Sequence, residues 1–237
     1  MQNCACGQNL CPENVELDPK LARKEAVNDM KRSLILDAAQ RVMVRDGYAN
    51  ARIEDIAEEA GFSRAAIYHY FPDKEAIFIH MAIKEQQAMY EKYVEIAARN
   101  LSFLDTVEAF ALAFYDRFFG NNSMYSMSSA AVSPAFVMLN LISSMSKHEE
   151  LLNISITLKK ETYNVMIQVV ARARENGTLN IPVSDDSVVI MISTFLHACM
   201  MNSISSEWRT SEENRKCIND AIEALFVFLS PWVKGKD

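Results

Sequence analysis

Three cysteines stand close together near the start of the chain, at Cys4, Cys6 and Cys11. Thiolates in this C-x-C-x4-C spacing can bind a soft metal ion or act as a redox switch. A closed tetrahedral zinc site needs a fourth ligand, which this segment does not supply. We therefore predict no metal and no cofactor. Sensing of metal or redox state by these thiols remains the alternative hypothesis.

The other residue types that commonly carry catalysis lack the spacing of a catalytic motif. No two of the six glycines lie within ten residues of each other, so neither a P-loop nor a G-x-G-x-x-G turn can form. The four histidines form no H-E-x-x-H pair, and there is no G-x-S-x-G elbow. The sequence therefore predicts a protein that is not an enzyme.

One short segment carries side chains that can contact DNA. Phe62 and Ile67 are expected to point inward, because they pin a short helix against its predecessor. The outward positions of that helix are then Ser63, Arg64, Ala65, Tyr68 and His69. A major groove admits an α-helix whose N-terminal side chains reach the base edges, so this pattern predicts a DNA-reading helix. The alternative is an ordinary helical hairpin in which Tyr68 and Phe71 are core residues.

Helices must position these side chains, and hydrophobic periodicity predicts an all-α fold. Gly47 is expected to end the first helix as a left-handed C-cap, Gly61 to form a turn, and Ser63 to cap the next helix. A helix pair joined by a short turn with glycine is the helix-turn-helix signature. The predicted helices span residues 31–46, 53–60, 64–70, 74–98, 101–119, 134–146, 149–176, 185–207 and 212–233.

The sequence I-E-D-I-A-E-E-A-G-F-S-R-A-A-I-Y-H-Y-F-P-D-K-E-A-I at residues 53–77 resembles the DNA-binding domain of the TetR family of bacterial transcriptional repressors. The resemblance covers residues 31–80. It implies that Tyr70 joins Ser63, Arg64, Ala65, Tyr68 and His69 on the recognition surface. It also implies that Lys74, at the start of the next helix, grips a phosphate.

The sequence departs from the family pattern before the motif and within it. Ala51-Arg52 stands where the family usually has Thr or Ser, so a helix cap is lost, but Arg52 is placed where it can reach a phosphate. Ala65-Ala66 replaces a frequent Gly-Thr and favours apolar contact, for example with a thymine methyl group.

Three regions follow from these patterns: a polar, cysteine-bearing tail (1–28), a three-helix DNA-binding domain (29–80) and a larger helical domain for ligand binding and dimerisation (81–237). By resemblance, the last two helices, at about 185–207 and 212–233, form a homodimer interface. The alternative is that their apolar faces pack within one monomer. These faces comprise Val188, Ile192, Phe195, Leu196, Cys199 and Met200 on one helix and Ile222, Leu225, Phe226, Leu229 and Trp232 on the other.

The uncharged stretch 118–146 is the expected sensor region, because apolar walls with a few polar groups are typical of small-molecule pockets. The absence of charge predicts a small, hydrophobic effector. The same residues at helical spacing are also compatible with an ordinary core, and His197 is expected to be a buried histidine with satisfied hydrogen bonds. The predicted ligand-binding residues are Tyr115, Phe118, Met124, Tyr125, Phe136, Met138, Tyr163 and Met166.

Composition limits the function further. The 237 residues carry a net charge of −7, which argues against a non-specific polyanion binder. Residues 31–80 carry 7 positive and 8 negative charges, so the predicted DNA reader is close to neutral. With no signal peptide and no clear membrane span, we expect a cytoplasmic repressor that releases a palindromic operator on binding its effector. The alternatives are an all-helical enzyme that uses the Met/Tyr-rich cavity and a helical protein-interaction adaptor.

Overall fold

The computed structural model describes residues 18–119, 147–204 and 210–234. These ranges form helices that match the predicted all-α fold. The predicted helix 134–146 lies outside them, as do Cys4, Cys6 and Cys11. The helices are α1 (Pro19–Asn50), α2 (Ile53–Ala60), α3 (Arg64–Tyr70), α4 (Lys74–Ala97), α5 (Phe103–Phe119), α6 (Glu149–Glu175), α7 (Asp185–Ile204) and α8 (Ser211–Leu229), and a short 3-10 helix follows at Ser230–Trp232.

The first helix begins at Pro19, earlier than the predicted start at residue 31, so the last ten residues of the predicted polar tail are helical. The Asp18 carboxylate caps this helix by accepting the backbone N–H of Lys20 at 3.0 Å, and Pro19 suits the first helical position. Residues 19–27 are exposed on all sides of the helix. Periodicity could not reveal such a segment, because it buries no apolar face.

The end of α1 also differs from the expected geometry. Gly47 has the positive φ of 77° that the sequence predicted, but its ψ of 154° is extended, not left-handed helical. The residues after Gly47 therefore leave the helix axis, and the chain turns into α2. Positive φ is readily available only to glycine, so a side chain at this position would be strained.

Two hydrophobic cores share the long helix α4. The first joins α1, α2 and α3 to the start of α4, and its fully buried side chains include Ile35, Ile56, Ile67, Phe71 and Ile77. The second packs the rest of α4 against α5, α6, α7 and α8. The change from one core to the other falls between Met81 and Met89. A displacement of α4 is therefore felt in both halves of the molecule.

The last two helices pack against each other inside the monomer. Six residues that the sequence placed on a dimer face are buried in this contact or the adjoining core, so for them the monomer alternative is correct. The six are Val188, Ile192, Leu196, Ile222, Leu225 and Leu229. Of the others, Cys199 and Phe226 are half-buried and Phe195 and Trp232 are exposed.

In the described ranges, no helix is both long and apolar enough to cross a membrane.

Candidate nucleic-acid interface and ligand cavity

The turn between α2 and α3 fixes the second helix in space. Gly61 adopts the left-handed conformation, with φ 70° and ψ 28°. The backbone N–H of Phe62 donates to the Ala57 carbonyl at 2.9 Å, which closes the end of α2. Ser63 then caps α3 by accepting the N–H of Ala66 at 3.1 Å, as its residue type predicted. Ile67 and Phe71 are buried below the helix.

The opposite face of α3 is open to solvent. Ser63, Arg64, Ala65, Tyr68 and His69 are all exposed, in the register that the sequence predicted. Tyr70 is different, because its ring is half-buried against the first core and meets the His69 ring edge-on at 5.0 Å between centroids. The exposed face of α3 therefore consists of its first two residues, the Ser63 cap and the Tyr68-His69 pair.

Arg64 is held in place by two neighbours. Its guanidinium lies 2.7 Å from the Glu54 carboxylate and 5.6 Å above the centre of the Tyr68 ring. The contact with Tyr68 and the charge of Glu54 raise the pKa of Arg64. The Arg64 side chain is 61% exposed, so DNA acceptors can replace Glu54 without opening the fold.

Arg52 stands at the start of α2, exposed, as the sequence predicted. Its backbone N–H donates to the Asp55 carboxylate at 3.3 Å, which partly replaces the missing Ser or Thr cap. The guanidinium can only donate hydrogen bonds, so it remains a candidate phosphate contact. On the same helix, Glu59 pairs with Arg41 at 2.6 Å.

Lys74, for which the resemblance implies a phosphate contact, binds backbone carbonyls of the chain in this structure. Its ammonium donates to the backbone carbonyls of Tyr48, Ala49 and Ala51 at 2.7, 3.2 and 2.8 Å. An ammonium has three hydrogens, so all of them are used. Burial lowers the pKa of Lys74. In this conformation Lys74 ties the start of α4 to the connection between α1 and α2, and its contact with a DNA phosphate stays a prediction.

A cavity of about 490 Å³ lies within the second core, which is in the size range of small-molecule sites. Its walls are mostly apolar, and none of the lining side chains in the described ranges is a carboxylate, lysine or arginine. The four helices around it contribute Met89 and Tyr93 (α4), Phe103, Val107, Phe110, Ala111 and Phe114 (α5), Thr162, Met166, Val169 and Val170 (α6), and Val189, Ile192, Ser193, Thr194, Leu196 and His197 (α7).

Only part of the predicted ligand site lies in this cavity. Met166 lines it as expected, but Tyr115 and Tyr163 do not. Tyr115 is buried with its ring 5.4 Å from the Arg215 guanidinium, and the Tyr163 hydroxyl donates to Asp186 at 3.0 Å. Helix α5 turns Phe110, Ala111 and Phe114 toward the cavity, so Tyr115 faces elsewhere. Outside the described residues or side chains lie Phe118, Met124, Tyr125, Phe136 and Met138.

The sequence missed the side of the cavity that α4 and α7 build. His197 lines the cavity, although it was expected to be an ordinary buried histidine. Together with Ser193 and Thr194 it gives one wall a polar strip. Met89 and Tyr93 come from α4, and the Tyr93 ring stacks on Phe110 at 4.3 Å between centroids. In the sequence, the signal for this wall is the mixture of polar and apolar residues at 193–197. The same mixture is also typical of an apolar helix interrupted by a few polar residues.

Comparison with known proteins agrees with this arrangement. A helix-turn-helix whose second helix exposes its polar face is the architecture of the helix-turn-helix class of DNA-binding proteins. Residues 35–81 match the family described as bacterial regulatory proteins, tetR family. The resemblance seen in the sequence is confirmed. The family consists of transcription regulators.

Relatives with assigned names share the N-terminal region. The HTH-type transcriptional repressor AcnR of Corynebacterium diphtheriae is 38% identical over 66 residues, which are 28% of this chain and 35% of that protein. The HTH-type transcriptional regulator EthR of Mycolicibacterium smegmatis is 34% identical over 70 residues, 28% of this chain and 32% of the relative. The chain spans about a third of the length of the curated relatives it matches.

Solved structures extend the similarity to the fold of most of the chain. The regulator FadR of Bacillus subtilis in complex with stearoyl-CoA superposes with a TM-score of 0.60 at 20% identity, covering 81% of this chain and 96% of FadR. A transcriptional regulator of Saccharomonospora viridis in complex with choline gives a TM-score of 0.64 at 18% identity, covering 82% and 96%. At these identities the likeness shows the fold: a helix-turn-helix domain joined to a larger helical domain.

Proposed function

We propose that this protein is a homodimeric transcriptional repressor that reads a palindromic operator with α3 and releases it on binding a small, largely apolar molecule. The exposed face of α3 carries the proposal. Ser63, Arg64, Ala65, Tyr68 and His69 stand free of the core, while Ile67 and Phe71 anchor the helix beneath them. A major groove accepts a helix presented in this way.

The test is binding of the full chain to duplexes drawn from the DNA that flanks its gene, followed by fluorescence anisotropy. We expect saturable binding to one duplex and a shallow dependence on salt, because few basic side chains face the DNA. A helical protein adaptor would bind no duplex in preference to another. No preference among the flanking duplexes and among random sequences would contradict the proposal.

The cavity between α4, α5, α6 and α7 is the proposed effector site. Its apolar walls and its polar strip on α7 suit a molecule with a long apolar part and one polar group. The similar structures that hold stearoyl-CoA and choline show that this fold accommodates small molecules, although those ligands belong to those proteins. We assign no catalytic role to the lining residues.

Dimerisation is proposed through the outer faces of α7 and α8. Their inner faces are used within the monomer, but Ile190, Val227 and Phe228 are exposed by 56%, 74% and 59%. Large apolar side chains clustered on a surface are typical of protein interfaces. A twofold dimer would present two α3 helices, which must lie one DNA turn apart, about 34–36 Å, or a longer symmetric distance, to engage a palindrome.

Helix α4 is the proposed link between effector and DNA. Three residues separate it from the end of α3, and its side chains Met89 and Tyr93 line the cavity. Fifteen residues of helix separate Lys74 from Met89, a span of about 22 Å. A ligand that displaces Tyr93 would tilt α4 and alter the separation of the two α3 helices. The ligand must then have different affinities for the two conformations.

Because the chromosome is its target, we place the protein in the cytoplasm.

A further inference from the structure

We propose that the N-cap and the first residue of α4, with their partners, form a joint through which the larger domain positions the recognition helix. This α4 joint consists of Asp73 and Lys74 together with Lys147 and His148. The inference rests on the proposed function, since it names the contact that transmits the effector's signal. Neither the helix-turn-helix pattern nor the cavity predicts it.

On the side of the larger domain, one carboxylate joins the starts of two helices. Asp73 caps α4 by accepting the N–H of Ala76 at 2.8 Å. The same carboxylate lies 3.0 and 3.1 Å from Nε2 of His148, the residue that precedes α6, and 2.8 Å from the ammonium of Lys147. A negative charge is favourable at the N-terminal end of a helix. Asp73 therefore holds the beginnings of α4 and α6 together.

These contacts stabilise the charged form of the Asp73 carboxylate. Partial burial by itself raises its pKa, but hydrogen bonds from Lys147, the Ala76 amide and His148 outweigh burial and lower the pKa. The side chains of Asp73 and His148 are only 28% and 17% exposed. Solvent therefore screens this contact less than the exposed ion pairs elsewhere on α4.

On the side of the DNA-binding domain, the neighbouring residue Lys74 holds the helix-turn-helix in position. Lys74 donates to carbonyls at 48, 49 and 51, where the chain leaves α1 after Gly47. These carbonyls come from the last residues of α1 and its end cap, where helical partners run out. The ammonium also lies 4.7 Å from the centre of the Tyr48 ring. Lys74 thus ties α4 to the connection that sets the position of α2.

Because Asp73 and Lys74 are adjacent, the two sets of contacts share one helical turn. The recognition helix ends at Tyr70, and the buried Phe71 fixes the short link to Asp73. A shift of α6 relative to α4 displaces Asp73. The displacement reaches α2 and α3 through Lys74 and through the short link between Tyr70 and Asp73. Asp73, Lys74 and His148 are therefore positioning residues. They act on DNA affinity without touching DNA.

The first experiment is a double-mutant cycle on operator affinity, measured by anisotropy with the duplex recovered by selection. Asp73→Asn keeps an oxygen that caps α4 but loses the charge, and His148→Ala removes the partner. We expect each to weaken binding by about threefold to tenfold, and the double variant to lose no more than the weaker-binding single variant. His148→Gln, which keeps an N–H donor, should restore most of the affinity.

Lys84→Gln is the matched control, because it removes an exposed ion pair between α4 and Asp37 of α1 that does not include α6. It should leave affinity unchanged. Additive losses in the cycle, losses no larger than that of Lys84→Gln, or tighter binding by Asp73→Asn would overturn the α4 joint.

A variant of Lys74 distinguishes its role in the α4 joint from a direct contact with a DNA phosphate. Lys74→Met keeps the aliphatic stem and removes the ammonium. If Lys74 positions the recognition helix, the operator affinity of Lys74→Met falls. The slope of log affinity against log salt concentration then stays that of wild type. If Lys74 contacts a phosphate in each half-site, the slope for the dimer becomes shallower by about two, about one for each protomer. The second result would refute its place in the joint.

Hydrogen exchange of the full chain keeps this inference distinct from the proposed function. If selection recovers no DNA sequence, the proposed function fails, and the α4 joint is judged by amide exchange in residues 64–80. Asp73→Asn and His148→Ala should each accelerate exchange there, with no further gain in the double variant. Exchange equal to that of wild type and Lys84→Gln would overturn the joint independently of DNA.

Discussion

Arg64 and Lys74 are both basic residues that the sequence predicts to contact DNA, but the structure places their side chains in different surroundings. Arg64 is exposed and bound to a replaceable carboxylate, so it is ready to exchange partners. Lys74 is fixed on the backbone carbonyls of Tyr48 and Ala51, at and just beyond the end of α1. Sequence reasoning identified the exposed register of α3 because Ile67 and Phe71 had to be buried. It could not place Lys74, because the carbonyls it binds are set by the path of the chain after Gly47.

Arg64→Ala is expected to weaken operator binding by roughly tenfold or more and to relax specificity at one base position, as loss of a guanidinium-base contact does. Arg99→Ala is the matched control, since Arg99 is also exposed and paired with a glutamate, Glu95, but lies beyond the far end of α4. Anisotropy with the operator and with single-base variants measures both effects. Equal affinities for the two variants would remove Arg64 from the interface.

His80 should make stability depend on pH. Burial lowers its pKa, and the positive charges of Arg32 and His148 lower it further. The unfolded chain therefore takes up this proton at a higher pH than the folded chain, and stability is lost as pH falls below about 6.5. In urea denaturation at about pH 7.5 and about pH 5.5, His80→Gln should lose less unfolding free energy on acidification than wild type.

His69→Gln serves as the comparison for His80, because His69 is exposed on α3. It should lose as much stability on acidification as wild type. The account of His80 is contradicted if wild type and His80→Gln respond equally to acid.

At the scale of elements, the positions of α2, α3 and α4 were predictable because each has a capping residue or glycine at its ends and one apolar face. The start of α1 was not, since residues 19–27 bury nothing. The four helices around the cavity were predicted as elements, but the rotation of α5 was not, so Tyr115 was expected in place of Phe110 and Ala111. Which face of a helix lines a cavity depends on the packing of neighbours that are distant in sequence.

The cavity is tested by filling it. Ala111→Phe adds a ring to the cavity wall on α5, and we expect it to weaken binding of Nile red, a neutral apolar dye, by at least about tenfold. The melting temperature should stay close to that of wild type, because the ring occupies empty space. Fluorescence titration measures the affinity.

Tyr163→Phe is the control for this experiment, because its hydroxyl bonds Asp186 outside the cavity. It should bind the dye like wild type. Unchanged binding by Ala111→Phe would mean that the dye occupies another site.

At the scale of the whole molecule, the net charge of −7 and a nearly neutral reader mean that the protein cannot rely on a broad basic surface. Under the proposed function, operator affinity comes from a few base contacts made by each of two protomers. The apolar side chains exposed on α8 are the proposed dimer contact. The sequence predicts the same pair of helices for this role but names mostly residues that the structure buries within the monomer.

Val227→Glu combined with Phe228→Glu should convert the dimer into monomers, because two charges would then face an apolar partner surface. Sedimentation velocity measures the mass, and operator affinity should fall by at least about tenfold as the paired half-sites lose one reader. Val94→Glu, at an exposed valine on α4, should remain dimeric. A monomeric wild type, or a dimeric double variant, would exclude this interface.

The most direct measurement is selection of bound duplexes from a random DNA library by the full chain, compared with the same selection by Arg64→Ala. The account predicts that wild type enriches an inverted repeat whose half-sites lie one helical turn or a longer symmetric distance apart. It also predicts that Arg64→Ala loses this enrichment at the base contacted by Arg64. No enriched sequence, or the same sequence enriched equally by both proteins, would contradict DNA reading by α3.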